Sequence, residues 1–174
     1  MVTDILLDTS VLSETSKVKP DPNVLRFLEL IPNPLIPAPA LVEFQQGIYE
    51  VLERNPIKAV KLSNWYNQLV NSGITILYDN REVIDVLGTL NGDKRLNNLK
   101  FSRPEAKRPR CGFDLWIAAI ALVYRVPIAT FNVKDFVLIN SCYPLPGIVD
   151  PKTDTWHAKI EAIEFPAQEA ELCP

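Results

Sequence analysis

Short apolar runs and helical stretches alternate along this chain, and that alternation limits the fold more than any other feature. Residues 4–7 read as a short buried strand. Residues 23–31 place Val24, Leu25, Phe27, Leu28 and Ile31 at helical spacing, opened by Pro22 and stopped by Pro32 and Pro34. Residues 35–38 read as a second strand, and Pro39 suits the first turn of a helix carrying Glu43, Ile48 and Val51. A helix is expected over 57–70, ending near Ser72-Gly73, then a strand over 74–78 and a helix over 81–90 ending toward Gly92. After a polar stretch from 93 to 112, residues 113–124 are apolar enough for a helix buried on most sides. Residues 127–131 read as a strand and 147–149 as a last short one. Strands alternating with helices imply a parallel sheet covered on both faces. Residues 1–150 are expected to form one α/β domain. Residues 151–174, with Trp156 and Phe165, read as a C-terminal tail packing on it.

A chain of 174 residues, 47% hydrophobic, suits a single domain with a sizeable core. No apolar run reaches the roughly 18 residues that would span a bilayer, so no membrane is expected. The first residues, Met1-Val2-Thr3-Asp4, lack a basic region, so a signal peptide is not expected. Cys111, Cys142 and Cys173 form no C-x-x-C motif, and their odd number suits free thiols in a reducing cytoplasm. A net charge of −3 argues against nucleic-acid binding through overall positive charge, while leaving room for a local basic groove. His157 is the one histidine, which excludes a site built on several imidazoles; it reads as a surface residue of the tail. Trp116 and Tyr124 read as core, and Cys111 has no base beside it that would make it a nucleophile.

Three acids interrupt apolar segments. Asp8 follows Ile5-Leu6-Leu7, Glu43 sits within Ala40-Leu41-Val42-Glu43-Phe44, and Asp114 opens Asp114-Leu115-Trp116-Ile117-Ala118-Ala119-Ile120-Ala121. A carboxylate among apolar residues is costly unless paired, hydrogen-bonded or metal-bound. In a parallel sheet, ligands gather at the carboxyl ends of the strands, where Asp8 is expected, followed later by Asn132 and Asp135. Two carboxylates about 4 Å apart repel by roughly 4 kcal/mol at an effective dielectric near 20. Converging acids therefore share a proton or bind a cation, and an all-oxygen donor set prefers Mg²⁺ or Mn²⁺ to Zn²⁺. Taken singly, Asp8 also suits a turn, Asp114 an N-cap and Glu43 the wet face of a helix.

Four segments together resemble the PIN-domain family, and within it the VapC-like toxin ribonucleases with their FitB-like branch. They are Leu6-Leu7-Asp8-Thr9-Ser10-Val11-Leu12-Ser13-Glu14, Val42-Glu43-Phe44-Gln45-Gln46-Gly47, the Asp114–Ala121 run, and Ile128-Ala129-Thr130-Phe131-Asn132-Val133-Lys134-Asp135-Phe136. The resemblance implies a PIN-like three-layer α/β fold with a central parallel sheet flanked by helices. It implies a metal-dependent endoribonuclease, the toxin of a type II toxin–antitoxin pair, with Mg²⁺ or Mn²⁺ as cofactor and RNA as substrate. A small antitoxin partner and a homodimer also follow from it. Carried over by position, Asp8, Glu43 and Asp114 are catalytic acids and metal ligands. Asn132 stands where many members have a fourth acid, and Asp135 is the nearest replacement or else fixes the loop. Ser10 and Thr130 are hydroxyls expected to orient Asp8 or a metal-bound water.

Lys94, Arg95, Lys100, Arg103, Lys107, Arg108 and Arg110 form the one markedly cationic stretch, against only Glu105. It reads either as a phosphate-contacting loop beside the acids or as a solvated loop that meets an acidic partner. Two enzyme alternatives fit poorly. A haloacid-dehalogenase-type phosphatase wants a second aspartate where Ser10 stands, and a phospho-accepting receiver wants an acidic pair near its start. A catalytically inactive PIN-fold module binding RNA or protein is the remaining alternative, with Asn132 as the sign of lost chemistry.

Overall fold

The computed structural model describes residues 4–100 and 113–159. Six strands form one sheet in the order β3-β2-β1-β4-β5-β6. They are β1 (Asp4–Leu7), β2 (Asn33–Pro37), β3 (Thr75–Leu77), β4 (Ile128–Ala129), β5 (Gly147–Asp150) and β6 (Thr155–Lys159). The first five run parallel, and β6 returns antiparallel along β5. Helices flank the sheet: α1 (Thr9–Thr15), α2 (Pro22–Leu30), α3 (Ala38–Leu52), α4 (Pro56–Val70), α5 (Arg81–Gly92), α6 (Asn97–Lys100), α7 (Phe113–Tyr124) and α8 (Val133–Cys142), with a 3-10 turn at Lys94–Leu96. This is the α/β class expected from the alternation of elements, with β6 as an antiparallel edge.

The central strands are apolar because both of their faces are covered. Leu6, Ile36, Ile128, Ala129, Ile148 and Val149 are fully buried. In α7, Leu115, Ile117, Ala118, Ala119, Ile120 and Ala121 are buried as well, so its apolar residues wrap more than one side of the helix. Each large side chain so buried contributes about 1.5–3 kcal/mol. A smaller cluster of Phe44, Ile48 and Ala59 holds α3 against α4, with Trp65 packing on Phe44 at a ring separation of 4.7 Å.

Local signals mark the boundaries. Pro22 and Pro56 occupy first-turn positions, after the caps Asp21 and Asn55, whose side chains accept from Asn23 N and Lys58 N. Gly73, at φ +84°, turns the chain between α4 and β3, a conformation that favours glycine. Gly147 opens β5 where a Cβ would stand 2.8 Å from Trp156 Cζ3 and 2.9 Å from Pro127 Cβ, so the residue is required by close packing.

Several elements depart from the sequence expectation, among them the short helical turns at Lys94–Leu96 and Asn97–Lys100. Residues 9–15 and 133–142 are helices that the spacing did not predict. The strand at 147–150 is not the last, because Thr155–Lys159 adds β6. The start of the expected tail thus belongs to the sheet, and His157 is exposed on it. Residues 160–174, including Phe165 and Cys173, and residues 101–112, including Cys111, lie outside the described residues. Cys142 is a half-buried free thiol. Among the described residues no helix is long and apolar enough to cross a membrane.

Candidate functional site

The strand order places distant residues side by side. Leu7 on β1 pairs with Ala129 on β4, and Asp8 N donates to the Ala129 carbonyl at 3.0 Å. Asp8 therefore leaves the carboxyl end of β1 beside Thr130, which follows β4. Its backbone carbonyl starts α1 by accepting from Val11 N and Leu12 N, while its carboxylate makes no capping bond to that helix. Instead Oδ2 accepts from Ser10 Oγ and from Thr130 Oγ1, both at 2.6 Å. Such short O–H···O⁻ distances mark charge-assisted bonds. Asp8 is 3% exposed, and burial raises its pKa even though these hydroxyls and the N–H groups of Thr9 and Ser10 pull it down.

The hydroxyls extend the network to a second acid. Ser10 Oγ accepts from Phe131 N at 3.1 Å. Thr130 Oγ1, fully buried, accepts from Asn132 N at 2.9 Å, and Asn132 Nδ2 donates to Asp114 Oδ2 at 2.9 Å. A continuous path thus runs from Asp8 through Thr130 and Asn132 to Asp114 in the first turn of α7, a position where a helix favours negative charge. Asn132 precedes α8 as its N-cap, yet its side chain forms no cap and is committed to Asp114.

Glu43, on the second turn of α3, is half-buried, and its pKa is raised, chiefly by burial and further by the charge of Asp8. The Thr9 hydroxyl opposes that shift from close by, but in the described structure no partner meets buried Thr9 Oγ1 in bonding geometry. Thr9, Glu43, Asp114 and Asn132 line one cleft of about 1000 Å³, with Asp8 buried beside it. In this cleft the charge of Asp8 disfavours the ionised form of Glu43, and buried Thr9 Oγ1 is left without a partner in bonding geometry. The candidate donors here are all oxygens, which suits a hard divalent ion. As placed, no three His, Cys, Asp or Glu side chains among the described residues form a group tight enough to hold a metal ion.

The other expected site residues are distributed differently. Asp135 lies in the first turn of α8, where its N–H bonds to the Asn132 carbonyl, and it does not line the cleft. Lys94, Arg95 and Lys100 also lie away from the cleft lining. Arg95 grips Asp93 through Nε and Nη2 and stands over the Tyr143 ring, while Lys100 Nζ donates to the Asp93 carbonyl at 2.6 Å. Arg95 and the Tyr143 hydroxyl hold the Asp93 carboxyl well below the usual range. Arg103, Lys107, Arg108 and Arg110 lie outside the described residues. Among the described residues, the cations that line the cleft are Lys17, Lys58 and Lys61, which the sequence reading missed, as it missed buried Glu14, which accepts from Lys17 Nζ and Asp21 N.

Solved structures share this fold. The chain is similar to the structure of FitAcB from Neisseria gonorrhoeae, with TM-score 0.60 and 21% identity over 78% of this chain and 93% of that one. It is also similar to FitAB bound to an IR36 DNA fragment, with TM-score 0.61 and 21% identity over 85% and 95% of the two chains. VapBC-5 from Mycobacterium tuberculosis, a member of the VapBC family of toxin–antitoxin systems, gives TM-score 0.57 and 18% identity over 85% and 98%. No protein-family model and no curated relative matches the chain. These likenesses define its class by fold: a mostly parallel α/β sheet flanked by helices, of PIN-like architecture. More particularly, its fold is the one found in VapBC and FitAB toxin–antitoxin complexes, in agreement with the VapC-like and FitB-like resemblance of its four motifs.

Proposed function

We propose that this chain is a Mg²⁺- or Mn²⁺-dependent endoribonuclease and the toxin of a type II toxin–antitoxin pair. The observation that carries the reading is the hydrogen-bonded path joining Asp8 to Asp114 across the β1–β4 junction, with Glu43 on the same cleft. Asp8, Glu43 and Asp114 would hold the divalent ion, with Asn132 as the further oxygen donor on the cleft. When bound, the ion would supply a water nucleophile at neutral pH and offset charge on the leaving oxygen. The chain's own groups prepare that chemistry. Ser10 and Thr130 fix the Asp8 carboxylate, and Asn132 fixes Asp114. The raised pKa of Glu43 suits a group that passes a proton at its carboxyl oxygen as well as one that binds a cation. A small antitoxin that covers the cleft belongs to the reading and is supported by the toxin–antitoxin complexes that share the fold, and a homodimer and a cytoplasmic setting complete it.

A second reading has its own support. Asn132 replaces an acid with an amide, and the carboxyls are not drawn around one point. Both features suit a non-catalytic module that binds RNA or protein. A nuclease assay on structured RNAs, comparing Mg²⁺, Mn²⁺ and chelator, separates the two. Cleavage that needs metal and is lost in folded Asp8→Asn and Asp114→Asn proteins supports the enzyme. Tight RNA binding without cleavage in any metal supports the module.

A further inference from the structure

The cleft extends from the acids to the start of α4, and there its wall changes sign. Lys58 and Lys61 are three residues apart on that helix, hence on one face and about 4.5 Å apart along its axis. Both line the cleft that Glu43, Asp114 and Asn132 also line, and both are exposed. Neither has an ion-pair partner among the described residues, whereas Lys17 is held by Glu14. Glu50, which lines the cleft from α3, accepts from Gln46 Nε2. With a net charge of −3, the molecule offers no general attraction for a polyanion, so attraction must come from cations local to the site.

We propose that Lys58 and Lys61 form a phosphate subsite that holds a single-stranded RNA beside the acids. The proposal rests on the ribonuclease reading and goes beyond it by assigning a phosphate contact to α4. Polynucleotide is favoured over an acidic protein segment because only a polynucleotide must bring an anion across the acidic floor. Cations flanking that floor offset the repulsion, and a chain of phosphates engages both lysines while one of its members reaches the acids. An acidic side chain would be satisfied by the lysines alone.

The test compares the full-length protein with Lys58→Gln/Lys61→Gln and with a charge-matched control, Arg26→Gln/Arg81→Gln, away from the cleft lining. Binding of a short unstructured RNA is followed by fluorescence anisotropy in chelator between roughly 50 and 200 mM salt, and cleavage is followed in Mg²⁺ and Mn²⁺. Each lost phosphate contact lowers the salt slope by about 0.7 on single strands, so the cleft variant should lose about 1.4. Its affinity should then fall about sevenfold less than the wild type's across that salt range. In cleavage its KM should rise with kcat nearly unchanged. An unchanged slope, with the wild type still cleaving RNA, overturns the subsite and leaves the ribonuclease standing. A cleft variant that loses polyglutamate binding but binds RNA like wild type overturns it in favour of an acidic protein segment. If the wild type neither binds nor cleaves RNA, the ribonuclease reading fails and the subsite fails with it.

Discussion

Replacing Thr130 with valine keeps shape and removes one hydroxyl from a fully buried position. That hydroxyl makes two bonds, donating to Asp8 Oδ2 at 2.6 Å and accepting from Asn132 N at 2.9 Å. The first is a charge-assisted bond worth about 1.5–3 kcal/mol, and the second, to a half-buried amide, about 1 kcal/mol. The expected loss is roughly 2.5–4 kcal/mol at neutral pH, or about 5–15 °C in Tm for a domain of this size. Urea denaturation of four proteins measures it: wild type, Thr130→Val, Asp8→Asn and the double variant. With a neutral amide at position 8, the charge assistance is gone, and the threonine should be worth only about 1–2 kcal/mol. The coupling energy is therefore expected near 1–2 kcal/mol. A coupling below about 0.5 kcal/mol would show that Thr130 contributes packing only, and the path from Asp8 to Asp114 would have no energetic content.

Other perturbations probe separate parts of the molecule. Gly147→Ala forces a Cβ against Trp156 and Pro127 and should cost about 1–3 kcal/mol in urea denaturation; an unchanged midpoint would mean that the β5–β6 packing yields freely. Lys17 and the Asp21 N–H hold Glu14 below its ordinary pKa, so its contribution is full above the unfolded value of 4.5 and is lost as pH falls through the folded one. Glu14→Gln should consequently destabilise at neutral pH and converge on wild type in strong acid, and a gap that stays constant with pH contradicts the pairing. Asp8 and Glu43 have raised values, so their contributions are full below 3.8 and 4.5 and are lost as pH rises through the folded values. A divalent ion favours the carboxylates, so Mg²⁺ should stabilise the fold more at about pH 7.5 than at about pH 5, with a gain in unfolding free energy of up to roughly 2.7 kcal/mol at a hundredfold excess over Kd, read as a higher Tm. The same Mg²⁺ shift in an Asp8→Asn/Glu43→Gln protein would place the ion elsewhere.

Much of the fold was legible because some segments carry one strong signal. Asp4–Leu7 and Phe113–Tyr124 were read with the bounds they have, since a concentrated apolar run leaves little choice. Thr9–Thr15 escaped because it is short and rich in Thr and Ser, which are poor helix formers, and is held by tertiary contacts through buried Val11 and Leu12. Val133–Cys142 mixes Val133, Val137, Ile139 and Asn140, whose propensities give no clear helical preference. The β6 signal was present in Trp156 and Ala158, which alternate with exposed Thr155, His157 and Lys159, but the segment was read as part of a tail. At the site, the acids stood out because charge among apolar residues is rare. Lys58 and Lys61 did not, because lysines on an amphipathic helix are ordinary and only the packing of α4 on α3 turns them toward the cleft.

The adjacency of β1 and β4 also bears on when the protein becomes competent during synthesis. Thr130 and Asn132 leave the ribosome more than a hundred positions after Asp8. Pairing across so long a separation must wait for the intervening segments, since the entropy of closing that loop is lost before any contact rewards it. A truncated or stalled translation product that stops before position 130 carries the first two acids without the hydroxyl and amide that aim them. Whatever this cleft does, half-made copies should lack a finished one.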